Sequence, residues 1–133
     1  MDLINNLFSV NSKYSVMPMS DRQKRFYLQI VEQTKHFLQE NFAEHISLDD
    51  IAAKSCMSAF HFNRVFKQIT AISPYQYLLL FRLQHAEQLL NETQESITAV
   101  SFLSGFNSPD HFSYIFKSKN KLSPLDFRKK KPF

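Results

Sequence analysis

His61 to Lys67 reads "HFNRVFK", and His111 to Lys117 reads "HFSYIFK". Both stretches begin on His-Phe and end on Phe-Lys at the same spacing. A shift of 50 residues lays Ser58, His61, Phe62, Phe66, Lys67, Ser73 and Pro74 on Ser108, His111, Phe112, Phe116, Lys117, Ser123 and Pro124. Val65 then falls on Ile115, Ile72 on Leu122 and Tyr77 on Phe127. Upstream the shift is 49, pairing Leu48 with Ile97, Ile51 with Val100 and Ala52 with Ser101, so one residue near Asn107 is extra in the second copy. Residues four apart share a helix face. Phe62, Phe66, Phe112 and Phe116 are therefore expected in the core. Asn63, Arg64, Ser113 and Tyr114 lie off that face and are free to touch something else.

Working outward, the chain reads as about seven helices. Ser20 or Asp21 opens a helix to about Asn41, with Phe26, Ile30, Val31, Thr34, Phe37 and Leu38 at helical spacing. Ser47, Ser58 and Ser96 are N-caps. Ser73-Pro74, Ser108-Pro109 and Ser123-Pro124 each place a cap before a proline at the first helical position. The helix from Ser73 to about Asn91 spans roughly 28 Å at ~1.5 Å per residue, with Leu79, Leu83, Ala86, Leu89 and Leu90 as its buried face. Gly105 stops the helix before it. It is the single glycine of the chain, too few for the turns of a β protein. The fold class is all α.

Each copy is a short helix, a tight turn and a longer helix. Leu48, Ala52, Cys56, Phe62 and Val65 stand where a helix-turn-helix needs residues that hold two helices at a steep angle. Residues 1–19 are too irregular for a helix and read as a tail or interdomain linker. Residues 20–133 then form one domain, with a first unit at 20–72, a linker helix at 73–92 and a second unit at 93–133; two such units in one chain point towards DNA, against the plainer reading of ordinary helical hairpins.

Charge points to a polyanion. Residues 20–92 carry eight acids and eight bases, whereas Lys117 to Lys131 holds seven bases against Asp126. A basic end on a neutral body favours contact with phosphate. The one cysteine, Cys56, allows no disulfide framework within the chain and no cysteine-rich metal site. It is expected to be a buried turn residue. No apolar run approaches the ~18 residues of a membrane span, and the N-terminus lacks the pattern of a secretory signal. A cytoplasmic protein is expected. There is no phosphate-binding glycine loop, no nucleophile arrangement and no ligand spacing among the histidines, so neither enzyme activity nor a cofactor or metal is expected.

The segment from about Ile46 to Arg128 resembles the DNA-binding domain of the AraC/XylS family of bacterial transcription regulators. The text that carries the resemblance is "SLDDIAAKSCMS", "FNRVFKQ", "SPYQYLLLFRLQHAEQLL", "SITAVSFLSGFNSPDHFSYIFK" and "LSPLDFR". The resemblance implies two helix-turn-helix units on a linker helix, reading adjacent major grooves on one face of double-stranded DNA. It implies base contacts from Phe60, Asn63 and Arg64 in the first unit, and from His111, Ser113 and Tyr114 in the second. Lys67, Lys117, Lys119, Arg128, Lys129, Lys130 and Lys131 are the phosphate candidates. Arg82 matches the family's linker-helix arginine and is expected in a structural ion pair. Ala71 and Lys121 stand where the family commonly has glycine, so each is expected to adopt a left-handed conformation at roughly 1 kcal/mol.

The function implied is a sequence-specific transcription regulator, an activator that would also need a surface for RNA polymerase. The unit is expected to be monomeric, since both reading heads lie in one chain. An N-terminal effector domain, carried by most relatives, is expected to precede it in a longer protein. The competing reading is a helical module that keeps this fold but modulates a partner protein without specific DNA binding.

Overall fold

The computed structural model describes residues 20–130. The expected tail at 1–19 and the phosphate candidate Lys131 lie outside them. Among the described residues there are seven helices and no strand: α1 (Asp21–Asn41), α2 (Leu48–Lys54), α3 (Ala59–Thr70), α4 (Pro74–Glu92), α5 (Ile97–Leu103), α6 (Pro109–Asn120) and α7 (Pro124–Lys129).

Every one of these helices begins after a serine. Ser47, Ser58, Ser96, Ser108 and Ser123 each accept the backbone N–H of the residue three further on. Ser20 and Ser73 do the same for Gln23 and Gln76, whose side chains accept the serine N–H in return. Each cap satisfies a donor that the first helical turn leaves free, worth about 1 kcal/mol.

The chain divides into two compact units. The first holds the described residues up to Asn41, with Ile46–Leu80. Its core joins Ile30, Val31 and Leu38 of α1, Ile51 and Ala52 of α2, Phe62, Val65 and Phe66 of α3, and Tyr77, Leu78 and Leu80 of α4. Phe26, expected on the apolar stripe of α1, is 54% exposed. The buried residues of α1 begin only at Ile30, so Phe26 lies N-terminal to the part of the helix that the core takes up.

The second unit holds Phe42–His45 and the chain from Phe81 onward. Leu83, Ala86, Leu90, Val100, Phe106, Phe112 and Phe116 fill its core. Within it Arg82 is buried; its Nε donates to the Phe42 carbonyl at 2.7 Å and Nη2 donates to the Glu44 carbonyl at 3.0 Å. An ion pair was expected of Arg82; the partners of its Nε and Nη2 are backbone carbonyls instead. The Phe42 ring lies 5.0 Å from that of His85, whose Nδ1 is 3.2 Å from Ser104 Oγ. Burial lowers the His85 pKa.

The single buried face expected for α4 is not what forms. Tyr77, Leu78, Leu80, Phe81, Arg82 and Leu83 are all buried, while Leu79 and Leu89 are half-buried. The helix gives its first half to one core and its second half to the other, so no one stripe serves its whole length.

The repeat holds at the level of single hydrogen bonds. In the first turn the N–H groups of Cys56 and Met57 donate to the carbonyls of Ala53 and Ala52. In the second, Gly105 and Phe106 donate to Phe102 and Ser101. The aromatic ladder Phe62–Phe66–Tyr77 returns as Phe112–Phe116–Phe127, with centroid steps of 5.9 and 5.7 Å against 5.6 and 5.2 Å. Helix α7 thus plays for the second unit the part that the start of α4 plays for the first. Burial and the charge of Glu32 push the Tyr77 hydroxyl up to about 12, so it stays neutral as a core residue.

Ala71 (φ 73) and Lys121 (φ 65) take the left-handed conformation expected of them. Cys56 takes it too (φ 54) and is exposed, not buried. It lies at the bend between α2 and α3.

Candidate nucleic-acid interface

In the first unit, Ser58 starts α3 and Phe62, Val65 and Phe66 anchor it. That fixes which residues point away from the core. Phe60 is 78% exposed, Arg64 is exposed, and Asn63 and Lys67 are half-buried. A guanidinium can bond both acceptors of a guanine, an amide can do the same for adenine, and an apolar ring can cover a thymine methyl. His61, in the same first turn, is held from α1. The Tyr27 hydroxyl lies 3.4 Å from its Nε2, with the rings edge to face at 6.0 Å. The sequence reading did not find Tyr27; its signal was its place at i−3 and i−4 from the buried Ile30 and Val31.

In the second unit, Ser108 and Pro109 start α6 and Phe112 and Phe116 anchor it. His111 and Lys117 are exposed, Tyr114 is 72% exposed and Ser113 is half-buried. Asp110 is exposed in the first turn, where it suits the helix dipole but repels phosphate. The His111 ring sits edge to face on Phe106 at 6.1 Å.

The basic end separates into two kinds of residue. Lys119 is half-buried beside Glu87 of α4. Burial pushes the Glu87 carboxyl up, while a side-chain hydrogen bond from Asn120 and the Lys119 charge pull it back. Burial lowers the Lys119 pKa, and Glu87 opposes that. Arg128 is half-buried, and its Nε donates to the Leu90 carbonyl at 3.2 Å. The last carbonyls of a helix lack intrahelical partners and attract a cation, so Arg128 closes the end of α4 in place of the free surface its sequence neighbours suggested. Lys129 and Lys130 are exposed.

A family model described as a helix-turn-helix domain matches residues 51–130, from α2 through α7. The chain belongs to the AraC family. Its AraC-type domain is 36% identical over 92 residues to the HTH-type transcriptional activator RhaS of Klebsiella pneumoniae, covering 69% of this chain and 33% of RhaS. The chain thus spans about a third of the length of the curated relatives it matches. Among solved structures, the C-terminal domain of the response regulator AraT from Geobacillus stearothermophilus superposes with a TM-score of 0.74 at 26% identity, over 78% of this chain and 87% of that one. The DNA-binding domain of the global transcriptional factor AdpA, solved in complex with a target DNA, gives 0.71 at 27% identity, over 74% and 89%. An AraC-type regulator from Chromobacterium violaceum gives 0.71 at 30% identity, over 80% and 96%.

In AraC-type terms, α3 and α6 are the second helices of the two helix-turn-helix units, and these are the helices that present the exposed side chains above. Among the described residues, no helix is long and apolar enough to cross a membrane.

Proposed function

We propose that this chain is a sequence-specific DNA-binding unit of a cytoplasmic transcription activator. It reads two adjacent major grooves, one with α3 and one with α6. The observation that carries this is the outward face of α3: Phe60 and Arg64 are exposed on a helix whose other side is locked by buried Phe62 and Phe66. A residue that the core does not need, held rigidly by residues that the core does need, is what base reading requires. The DNA held by the similar AdpA domain and the activator name of RhaS support the same reading.

In this reading Arg64, Asn63 and Phe60 supply most of the base discrimination. His111, Ser113 and Tyr114 supply less, because Tyr114 has no fork of donors and Asp110 repels the backbone. Lys67, Lys117, Lys129, Lys130 and Lys131 supply sequence-blind attraction. Lys119 and Arg128 contribute mainly to the fold, through Glu87 and the end of α4. The unit binds as a monomer, and RNA polymerase is the partner that activation requires.

Selection of bound sequences from a random DNA pool, followed by titration across salt, tests this. A defined consensus should emerge, and its affinity should fall steeply as salt rises. Binding that selects no sequence would overturn it.

A further inference from the structure

The first turns of α1 carry three bases, Arg22, Lys24 and Arg25, against Asp21 alone, and the next acid along the helix is Glu32. All three bases are exposed. The free N–H groups of this helix end are not what marks it, because Ser20 and Gln23 cap it reciprocally at 3.1 and 3.2 Å. The charge there belongs to the side chains. Tyr27 fixes where that charge lies. Its hydroxyl and ring rest on His61, in the first turn of α3. Lys24 precedes Tyr27 by three residues, so it shares that face about one turn, or ~5 Å, further along the helix. The core has ended by this point, since Phe26 and Leu28 on either side of Tyr27 are 54% and 48% exposed. Lys24 thus lies exposed one helical turn beyond the residue that touches the first turn of α3. Arg22 and Arg25 lie on other faces of this helix end, where they raise the potential without sharing that position.

We propose that the N-terminal end of α1 is a second DNA contact of the first reading head. Lys24 binds a phosphate beside the groove that α3 enters, and Arg22 and Arg25 strengthen the field around it. This rests on the DNA-binding function proposed above and extends it to a helix outside the helix-turn-helix. An ammonium group donates to phosphate oxygens whatever the base, so the contact adds affinity and fixes register without changing the preferred sequence.

The test is affinity for the selected DNA site as a function of salt, for the wild type, Lys24→Gln, the pair Arg22→Gln and Arg25→Gln, and Lys54→Gln. Lys54, exposed on α2 over the Phe37 ring at 4.3 Å, is the control for loss of one charge elsewhere. Lys24→Gln should make the plot of log affinity against log salt shallower by about 0.9. It should weaken all sequences by the same factor and leave the consensus unchanged. The arginine pair should have a smaller effect per charge, and Lys54→Gln should leave the slope in place. Unchanged melting temperatures would show that each variant folds. If the wild type is steep and Lys24→Gln is equally steep, the surface is overturned and the reading heads stand. If Lys54→Gln flattens the slope as much as Lys24→Gln does, the effect is one of net charge, and the surface is overturned too. A wild type that selects no DNA sequence overturns both proposals.

Discussion

Cys56 and Gly105 occupy the same place in two turns that share their hydrogen bonds, yet they face different surroundings. Both have positive φ, 54° and 96°. At Cys56 the side chain is exposed. At Gly105 a Cβ would lie 2.6 Å from the Phe42 carbonyl oxygen, 2.7 Å from Arg82 Nε and 3.0 Å from Ala43 Cα. Chain packs against the residue at this place in the second turn, whereas in the first the Cys56 side chain is open to solvent. One module, copied twice, can thus keep its internal geometry while its neighbours dictate which residues it tolerates.

Gly105→Ala should show this with the largest effect. Two of the three near atoms are backbone, and the third is the guanidinium nitrogen that holds Phe42, so the methyl has no flexible neighbour to displace. Backbone strain and overpacking together should cost about 3 kcal/mol or more. Chemical denaturation would measure it. A loss below 1 kcal/mol would mean that the Phe42–His45 segment yields easily, and the contrast between the turns would collapse.

The two helices proposed to read DNA, α3 and α6, invite the same comparison. Arg64 and Tyr114 are equivalent at a shift of 50, and both project from a helix anchored by two phenylalanines. Arg64→Ala should cost ~1–3 kcal/mol of DNA affinity and relax preference in one half of the site. Tyr114→Ala should cost less, because a phenol makes no bidentate contact. Titrating both variants against the selected site, with single-base changes in each half, would show it. Equal losses, or a greater one at Tyr114, would break the asymmetry between the heads.

How much of this was legible in the sequence follows from the range of the forces involved. The helix starts were legible because a serine cap is a local device: the serine bonds an N–H three residues away. The four phenylalanines were legible because i, i+4 spacing fixes a face before any partner is known. The exposure of Cys56, the burial around α4 and the anchoring of Arg128 on Leu90 were not. Each depends on a neighbour far along the chain; Arg128 and Leu90 are 38 residues apart. Gly105 was legible as a helix stop, but the reason no other residue fits there is Phe42, which sequence spacing does not reveal. At the candidate site, the outward position of Arg64 and Tyr114 followed from the repeat. The contact of Tyr27 with His61 did not, since the two are 34 residues apart.

A smaller effect of opposite sign sharpens the contrast between the turns. Cys56→Gly should stabilise the protein by about 0.5–1 kcal/mol. Relief of the left-handed conformation returns roughly 1–2 kcal/mol, and the freer unfolded chain takes back roughly 0.4–1 kcal/mol. The side chain lost is exposed, so little packing goes with it. A destabilised Cys56→Gly would show that the thiol makes a contact that its exposure conceals.

The smallest effect concerns pH, and it should be confined to one unit. His85 lies against Phe42 and Ser104, and burial holds its folded pKa below the ordinary value near 6.5. Between the two pKa values the unfolded chain binds the proton more readily than the folded one, so stability rises with pH in that window. The contribution is therefore complete above about pH 6.5 and is lost as pH falls through that value towards the lowered folded pKa. Hydrogen exchange at pH 7.5 and 5.5, corrected for the intrinsic rate, would resolve it by region. Amides of the second unit near His85 should lose protection at the lower pH while those of α2 and α3 keep theirs. His85→Leu should remove the difference, since the leucine cannot take up the proton. Equal loss of protection in both units would show that the acid sensitivity is global and that His85 is not its source.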